Sequence, residues 1–207
     1  MAKRSAKSAS AGKTTSLRII AGIHRGRRVE VPKGLSVRPT LDRARESLFN
    51  ILMNGYRQDD GRPLIVDGLV LDCFAGSGAV GLEALSRGAA QVAFIEHGRE
   101  AIQALIGNLE PFGNAVTLHT RSALTPPFAP RPAALVFMDP PYAFEEIPQT
   151  VAALERAGWI DTDTLLVVER DEELEEAETG FRLSGYSEIE ARSVGRNKFY
   201  FLEQASS

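Results

Sequence analysis

Cysteine is almost absent: the 207 residues hold one, Cys73. A single thiol cannot close an internal disulfide, which excludes a disulfide scaffold and points to a reducing cytoplasm. Histidine is scarce too, and His24, His97 and His119 show no metal-ligand spacing with that cysteine, so no metal is expected. No apolar run approaches the roughly 18–20 residues that a membrane span needs. The start, 1–16, is basic but lacks the apolar stretch of a secretory signal. What is present is ordinary for a globular chain: 43% hydrophobic and 25% charged residues. The length fits one domain of about 100–200 residues, enough to bury a core without staples.

The net charge of −3 hides an asymmetry. Residues 1–50 hold 12 Lys/Arg against 3 Asp/Glu, a surplus of nine positive charges. Residues 51–207 hold the other 12 Lys/Arg against 24 Asp/Glu, a surplus of twelve negative charges. A basic arm on an acidic body suits a polyanionic partner, and nucleic acid is the obvious one; a merely solvated charge run is the alternative.

Residues 1–16 have almost nothing to bury and read as a disordered basic tail. Leu17–Ile20 and Arg28–Val31 read as two strands of a hairpin, with Gly22 and Gly26 bracketing the turn. After a break at Pro32-Lys33-Gly34, a helix is expected from Arg38-Pro39-Thr40, with Thr40 as N-cap and Asp42 in the first turn. Leu41, Ala44, Leu48, Ile51 and Leu52 share its apolar face, and Arg43 and Arg45 project elsewhere. Asn54-Gly55 ends it. Thus 17–55 form an extension and 56–207 the main domain.

That domain alternates strand and helix. Strands are expected at Leu69–Phe74, Gln91–Glu96, Ala115–His119, Ala134–Met138 and Thr164–Glu169. Helices are expected after the first strand, around Ala101–Leu109 and over 145–157. Pro126–Pro132 is a loop. Several strand runs are continuously apolar, as parallel strands covered on both faces should be. Ser187–Val194 and Lys198–Leu202 read as a closing antiparallel hairpin. The acidic run at 171–178 reads as a short solvated helix. The fold class is therefore α/β, a doubly wound Rossmann-like sheet with an antiparallel last hairpin.

Between the first strand and its helix lies Asp72-Cys73-Phe74-Ala75-Gly76-Ser77-Gly78-Ala79-Val80-Gly81. Its glycines permit a tight turn and close approach of a ligand. Glu96, ending the next strand, can accept ribose hydroxyls. A dinucleotide needs the helix N-terminus to face pyrophosphate. Asp72 would repel that group and suits the amino group of S-adenosylmethionine, which tilts the reading toward the latter. Phe74 is placed to enclose the cofactor or to serve the core. Cys73, among apolar neighbours, reads as a packed small hydrophobe, and His119 and Trp159 read as structural.

Asp139-Pro140-Pro141-Tyr142 falls at the carboxyl end of the fourth strand, where open α/β sheets bind ligands. The prolines donate no N–H, so the turn offers acceptors: the Asp139 carboxylate and the Pro140 carbonyl. An exocyclic amine has two hydrogens to give them, and Tyr142 can stack on an extruded base. Accepting both hydrogens aligns the nitrogen for in-line displacement and stabilises charge developing on it.

These segments resemble the RsmD family of 16S rRNA guanine-N2 methyltransferases. The resemblance spans about residues 17–203 and rests on RIIAGIHRGRRVEVP, RPTLDRARESLFNIL, VLDCFAGSGAVGLEALSRGA and DPPY. It implies methyl transfer from S-adenosylmethionine to guanine N2 in the assembling small ribosomal subunit. It implies Asp139, Pro140 and Tyr142 at the reaction, and Asp72, Phe74, Ala75, Gly76, Ser77, Gly78, Glu96 and His97 around the cofactor. The adenine contact falls to backbone or to Ser122. Arg25, Arg27, Arg38, Thr40, Arg43 and Arg45 are then the RNA-facing residues; for Arg25, Arg27 and Arg28 phosphate contact is the reading. Arg38 could instead cap the mouth of the site or pair with a carboxylate. The expected protein is a cytoplasmic monomer. Three rivals stand beside this reading: a DNA adenine or cytosine amino-methyltransferase, a non-catalytic ribosome-binding module and, least of all, an NAD-dependent enzyme, for which the Asp-Pro-Pro-Tyr turn has no use.

Overall fold

The computed structural model describes residues 16–32, 39–141, 146–171 and 181–205, without the side chains of 39–41. The expected tail over 1–15, the break at 33–34, Arg38, Tyr142 and the acidic run at 172–178 lie outside the described residues, as does the side chain of Thr40.

Two short strands, β1 (Ser16–Arg18) and β2 (Arg28–Glu30), pair antiparallel, so the hairpin expected there forms with shorter strands, and Ser16 belongs to it rather than to the tail. Helix α1 (Pro39–Gly55) follows. It opens on Pro39, whose fixed φ suits a first helical position, so Thr40 falls inside the first turn and not at the cap. Ala44, Leu48, Phe49 and Leu52 form its buried stripe, while Ile51 is only half-buried.

The body is built from β3 (Leu69–Cys73), α2 (Ala79–Ser86), β4 (Gln91–Ile95), α3 (Arg99–Leu109), β5 (Val116–His119), β6 (Leu135–Met138), α4 (Ile147–Arg156), β7 (Leu165–Asp171), β8 (Tyr186–Val194) and β9 (Asn197–Gln204). A 3-10 segment at Glu110–Ala115, which periodicity did not reveal, joins α3 to β5. Asp171 ends β7, buried, rather than starting a solvated helix.

Seven strands form one sheet in the order β5-β4-β3-β6-β7-β9-β8. The first five pair parallel, and β9 lies antiparallel to both β7 and β8. The chain winds outward from β3 to β5, then returns to β6 on the other side of β3. That reversal falls between β3 and β6, and doubly wound sheets take ligands at the carboxyl ends of the strands at such a switch. None of the described helices is long and apolar enough to cross a membrane.

Alternation along the strands sorts the core into two layers. Val70, Phe94, Leu135, Phe137, Leu165 and Val167 face α2, α3 and the extension. Leu71, Cys73, Ile95, Val136, Met138, Leu166 and Val168 face the other side with Trp159. The extension is part of the first layer: Leu17, Ile19, Val29, Leu48 and Phe49 pack in the same cluster as Phe94 and Phe201. Its hairpin approaches α2 so closely that a Cβ on Gly22 would lie 1.8 Å from the Ser86 carbonyl oxygen. Arg27 lies over the Phe112 ring, 4.8 Å from its centroid, which seats the hairpin on the 3-10 segment.

Candidate active site at the sheet switch point

Register brings the site together. Cys73 pairs with Ile95 and with Met138, and Met138 pairs with Val168. The next residues on these four strands are Phe74, Glu96, Asp139 and Glu169, so one row crosses the carboxyl edge of the sheet. Asp72 lies just below it in β3.

Phe74 turns the chain out of β3 with φ of 63°, a left-handed conformation that a bulky side chain adopts only when its surroundings impose it. Ala75 is buried, while Gly76 and Ser77 are half-exposed. Gly76 also takes positive φ, 55°, and a Cβ there would meet nothing within 4 Å, so open space lies over it. Gly81 has a different reason to be glycine. A Cβ on it would lie 2.4 Å from Phe94 Cε1 and 2.8 Å from Val92 Cγ1, so its bareness lets α2 rest on β4.

Asp72 is buried, and its Oδ2 accepts the Gly81 N–H at 2.8 Å. Burial raises its carboxyl to about 8, against the opposing effect of the Gly81 hydrogen bond, with Asp139 and Glu96 adding to the rise. Glu96 is the hub of the loop. Its Oε2 accepts the Gly76 N–H at 2.9 Å, and its Oε1 accepts those of His97 and Gly98 at 2.8 and 2.6 Å. His97 itself is exposed, with Nδ1 3.8 Å from Glu96 Oε1. Ser122, past the end of β5, is half-exposed and its Oγ accepts the Leu124 N–H at 3.2 Å.

These residues fit S-adenosylmethionine better than a dinucleotide. The Asp72 carboxyl already takes the Gly81 amide in the first turn of α2, where a pyrophosphate would have to sit. A carboxyl that burial raises to about 8 is one whose charged form a nearby ammonium group would stabilise. Glu96 has oxygen lone pairs left beyond its three N–H partners for hydroxyl donors.

Asp139 follows β6 directly and is open to solvent as a residue, with Pro140 buried beside it. The protein atoms around its carboxyl partly desolvate it and raise it to about 6. On β7, Glu169 is held well above the usual carboxylate range by burial first and by Asp139 next.

The basic arm divides into two groups. Arg25, Arg27, Arg28 and Arg43 are exposed. Arg45, expected among the RNA-facing residues, is 6% exposed and committed inward. Its Nη2 donates to the Arg18 carbonyl at 2.6 Å and to Asp42 Oδ1 at 2.9 Å, and its Nε lies 3.9 Å from Glu83 Oε2. Its role is to hold the extension, and helix periodicity alone could not tell that face from the solvent face.

Three residues that support or adjoin the site do not stand out in the sequence. Glu83, fully buried in α2, accepts the N–H groups of Ile20 and Ala21 at 2.7 and 3.0 Å and the Arg87 Nε at 2.8 Å. A lone charge inside the apolar run AVGLEALS was the available signal. Asn108 Nδ2 donates to the carbonyls of Glu30 and Ser77 at 2.8 and 2.9 Å, tying the end of β2 to the glycine loop. Glu169 was legible by the logic that found Asp139, a carboxylate closing a continuous apolar strand.

The sequence profile of a family described as "Conserved hypothetical protein 95" matches residues 17–203. The chain is 43% identical over 159 residues to ribosomal RNA small subunit methyltransferase D of Escherichia coli, an alignment covering 76% of each protein. A solved Escherichia coli structure described as a candidate methyltransferase superposes with a TM-score of 0.75 at 36% identity, over 93% of this chain and all of that one. A SAM-dependent methyltransferase from Aquifex aeolicus shares the fold, with a TM-score of 0.59 at 14% identity over 78% of this chain and 89% of that one. With a profile match across all but its two ends, the chain belongs to the RsmD family.

Proposed function

We propose that this protein transfers a methyl group from S-adenosylmethionine to the exocyclic N2 of a guanine in 16S rRNA of the small ribosomal subunit. The observation that carries the reading is the pairing of β3 with β6, which sets the Asp139-Pro140 acceptors beside the glycine loop at the switch of the sheet. When bound, S-adenosylmethionine supplies a methyl carbon on a positively charged sulfur, which keeps the bonding electrons as the methyl leaves.

The chain's own residues do the rest. Asp72, acting through Gly81, and Glu96, acting through Gly76, fix the loop of residues 74–78 in the shape that receives the cofactor. Phe74 encloses it, and His97 and Ser122 lie at its rim. The Asp139 carboxylate and the Pro140 carbonyl accept the two hydrogens of the amine. This orients the nitrogen and stabilises its growing positive charge. Asp139 then takes the proton that N2 must lose; a carboxyl raised to about 6 does this more readily than an ordinary one. Tyr142 stacks on the extruded base. Arg25, Arg27, Arg28 and Arg43 meet phosphates of the RNA.

The test is incubation with labelled S-adenosylmethionine and small subunits from cells lacking the enzyme, with naked 16S rRNA and duplex DNA in parallel. Label in subunits that maps as N2-methylguanine is the expected result. Label in DNA alone refutes the ribosomal reading, and no label with bound cofactor refutes the enzymatic one.

A further inference from the structure

Glu169 is a carboxyl that the mechanism above leaves idle. It follows Val168, the register partner of Met138, so Asp139 and Glu169 are matching residues on neighbouring parallel strands. Leu165 and Val167 share a core layer with Leu135 and Phe137, so the alternation sends both carboxyls to the same face. On its other side β7 pairs with β9, where Asn197 Nδ2 donates to Glu169 Oε1. The neighbouring cations are turned elsewhere: Arg170 lies over Phe181, Arg196 bonds Asp171 and Lys198 lies over Tyr200. Pro140 and Pro141 have no N–H to give. Among the described residues, Asn197 is the side-chain donor seen on Glu169, and the Asp139 and Glu169 carboxyls occupy matching positions of neighbouring strands. Burial lifts both above the ordinary range, and at Glu169 the neighbouring Asp139 adds to the rise.

The bases that carry an amino group differ in what lies next to it. In guanine the neighbouring ring nitrogen, N1, bears a hydrogen. In adenine N1 and in cytosine N3, that neighbour is a bare lone pair. An extruded base is read along this edge. Two adjacent carboxyls match the guanine edge, with N–H groups facing both, and set a lone pair against a carboxylate for the other two.

We propose that Glu169 is the residue that selects guanine: its carboxylate accepts N1–H while Asp139 and the Pro140 carbonyl hold N2. Specificity for the base then resides on β7, and the Asp-Pro-Pro turn serves any exocyclic amine. This inference rests on the methyl-transfer reading above.

The test uses the full chain and small subunits reconstituted with rRNA carrying either guanosine or 2-aminopurine riboside at the methylated position. The analogue keeps the 2-amino group but has a lone pair at N1. The unaltered protein is expected to favour guanine by at least about 100-fold in kcat/KM, since a site built to bond an N–H rejects an analogue lacking it. In Glu169→Gln the side-chain amide can turn its NH2 to the lone pair. The preference is then expected to fall to within about tenfold, with affinity for S-adenosylmethionine unchanged. An unchanged preference, or an equal loss on both substrates, overturns the assignment. Should Glu169→Gln fold poorly, Asn197→Ala frees the carboxylate from its anchor and should lower the preference at least about fivefold; no change there overturns it equally. An unaltered protein that accepts both bases alike refutes the role of Glu169 alone. One that methylates neither subunit refutes the methyl-transfer reading, and this inference with it.

Discussion

Glu83→Ala tests how the extension is held to the body. The Glu83 carboxylate is fully buried and gathers two backbone N–H groups, Ile20 and Ala21, and the Arg87 guanidinium, with Arg45 nearby. Arg45 and Arg87 are themselves 6% and 10% exposed, so water does not replace the lost partner freely. Removing one side of a buried ion pair costs roughly 3–5 kcal/mol, because the partner charge is left uncompensated. An unpaired buried N–H adds about 1–3 kcal/mol where it cannot reach water. A total near the upper half of that first range is expected. At about 2–4 °C per kcal/mol for a chain of this size, the melting temperature should fall by roughly 8–20 °C. Glu83→Gln keeps one carbonyl acceptor and should lie between. The assay is thermal denaturation, joined by hydrogen exchange at Ile20 and Ala21, whose amides should lose protection first. A variant within about 1 kcal/mol of the parent, with those amides still protected, would show that apolar packing alone holds the hairpin and that the buried network contributes little.

Four further outcomes are expected. Asp139→Ala should abolish methyl transfer while S-adenosylmethionine still binds, measured by calorimetry; retained turnover would remove Asp139 from the chemistry. Turnover should decline as pH falls through about 6, because Asp139 must be ionised to accept the amine hydrogens and then the proton; a flat profile between pH 5 and 8 would contradict this. The folded-state pKa of Asp72 is raised to about 8, so its contribution to stability is fully present below the unfolded value of about 4 and is lost as pH rises through about 8. Asp72→Asn, which keeps an acceptor for Gly81 N–H, should therefore gain melting temperature over the parent at pH 9 and little at pH 5; a constant offset would refute the shift. Gly81→Ala should lose about 1–3 kcal/mol in denaturant unfolding, since its methyl meets Phe94 at 2.4 Å.

Much of this fold is written locally in the chain. Continuous apolar runs such as Leu135–Met138 and Leu165–Val168, bounded by turn signals, read as strands covered on both faces, and both are buried in parallel register. Glu96 and Asp139 are legible because each closes such a run, and Asp72 because it leads into the glycine loop. What stayed hidden depends on contacts far apart in sequence. Helix periodicity gives the spacing of faces but does not say how wide the covered stripe is. Phe49 and Arg45 are buried because the hairpin and α2 come over them, and nothing within α1 announces that. The strand carrying Glu169 is legible in the sequence, but its pairing between β6 and β9, which puts the carboxyl beside Asp139 and against Asn197, is a fact of topology.

The same long-range contacts give the extension a second role. Asn108 holds the Glu30 backbone by both its N–H and its carbonyl, and with its remaining amide hydrogen holds the Ser77 carbonyl of the glycine loop. One buried amide thus joins the strand that leads out of the basic hairpin to the loop assigned to the cofactor. Asn108→Ala leaves Glu30 N–H and two carbonyls without that partner, at about 1–3 kcal/mol for the N–H alone. The consequence expected is specific: affinity for S-adenosylmethionine weakens although no cofactor-facing residue has changed, and it weakens together with RNA binding. Titration of each ligand against the variant checks this. Weakening of RNA binding alone would mean that the loop keeps its shape through Glu96 and Asp72 without help from the extension.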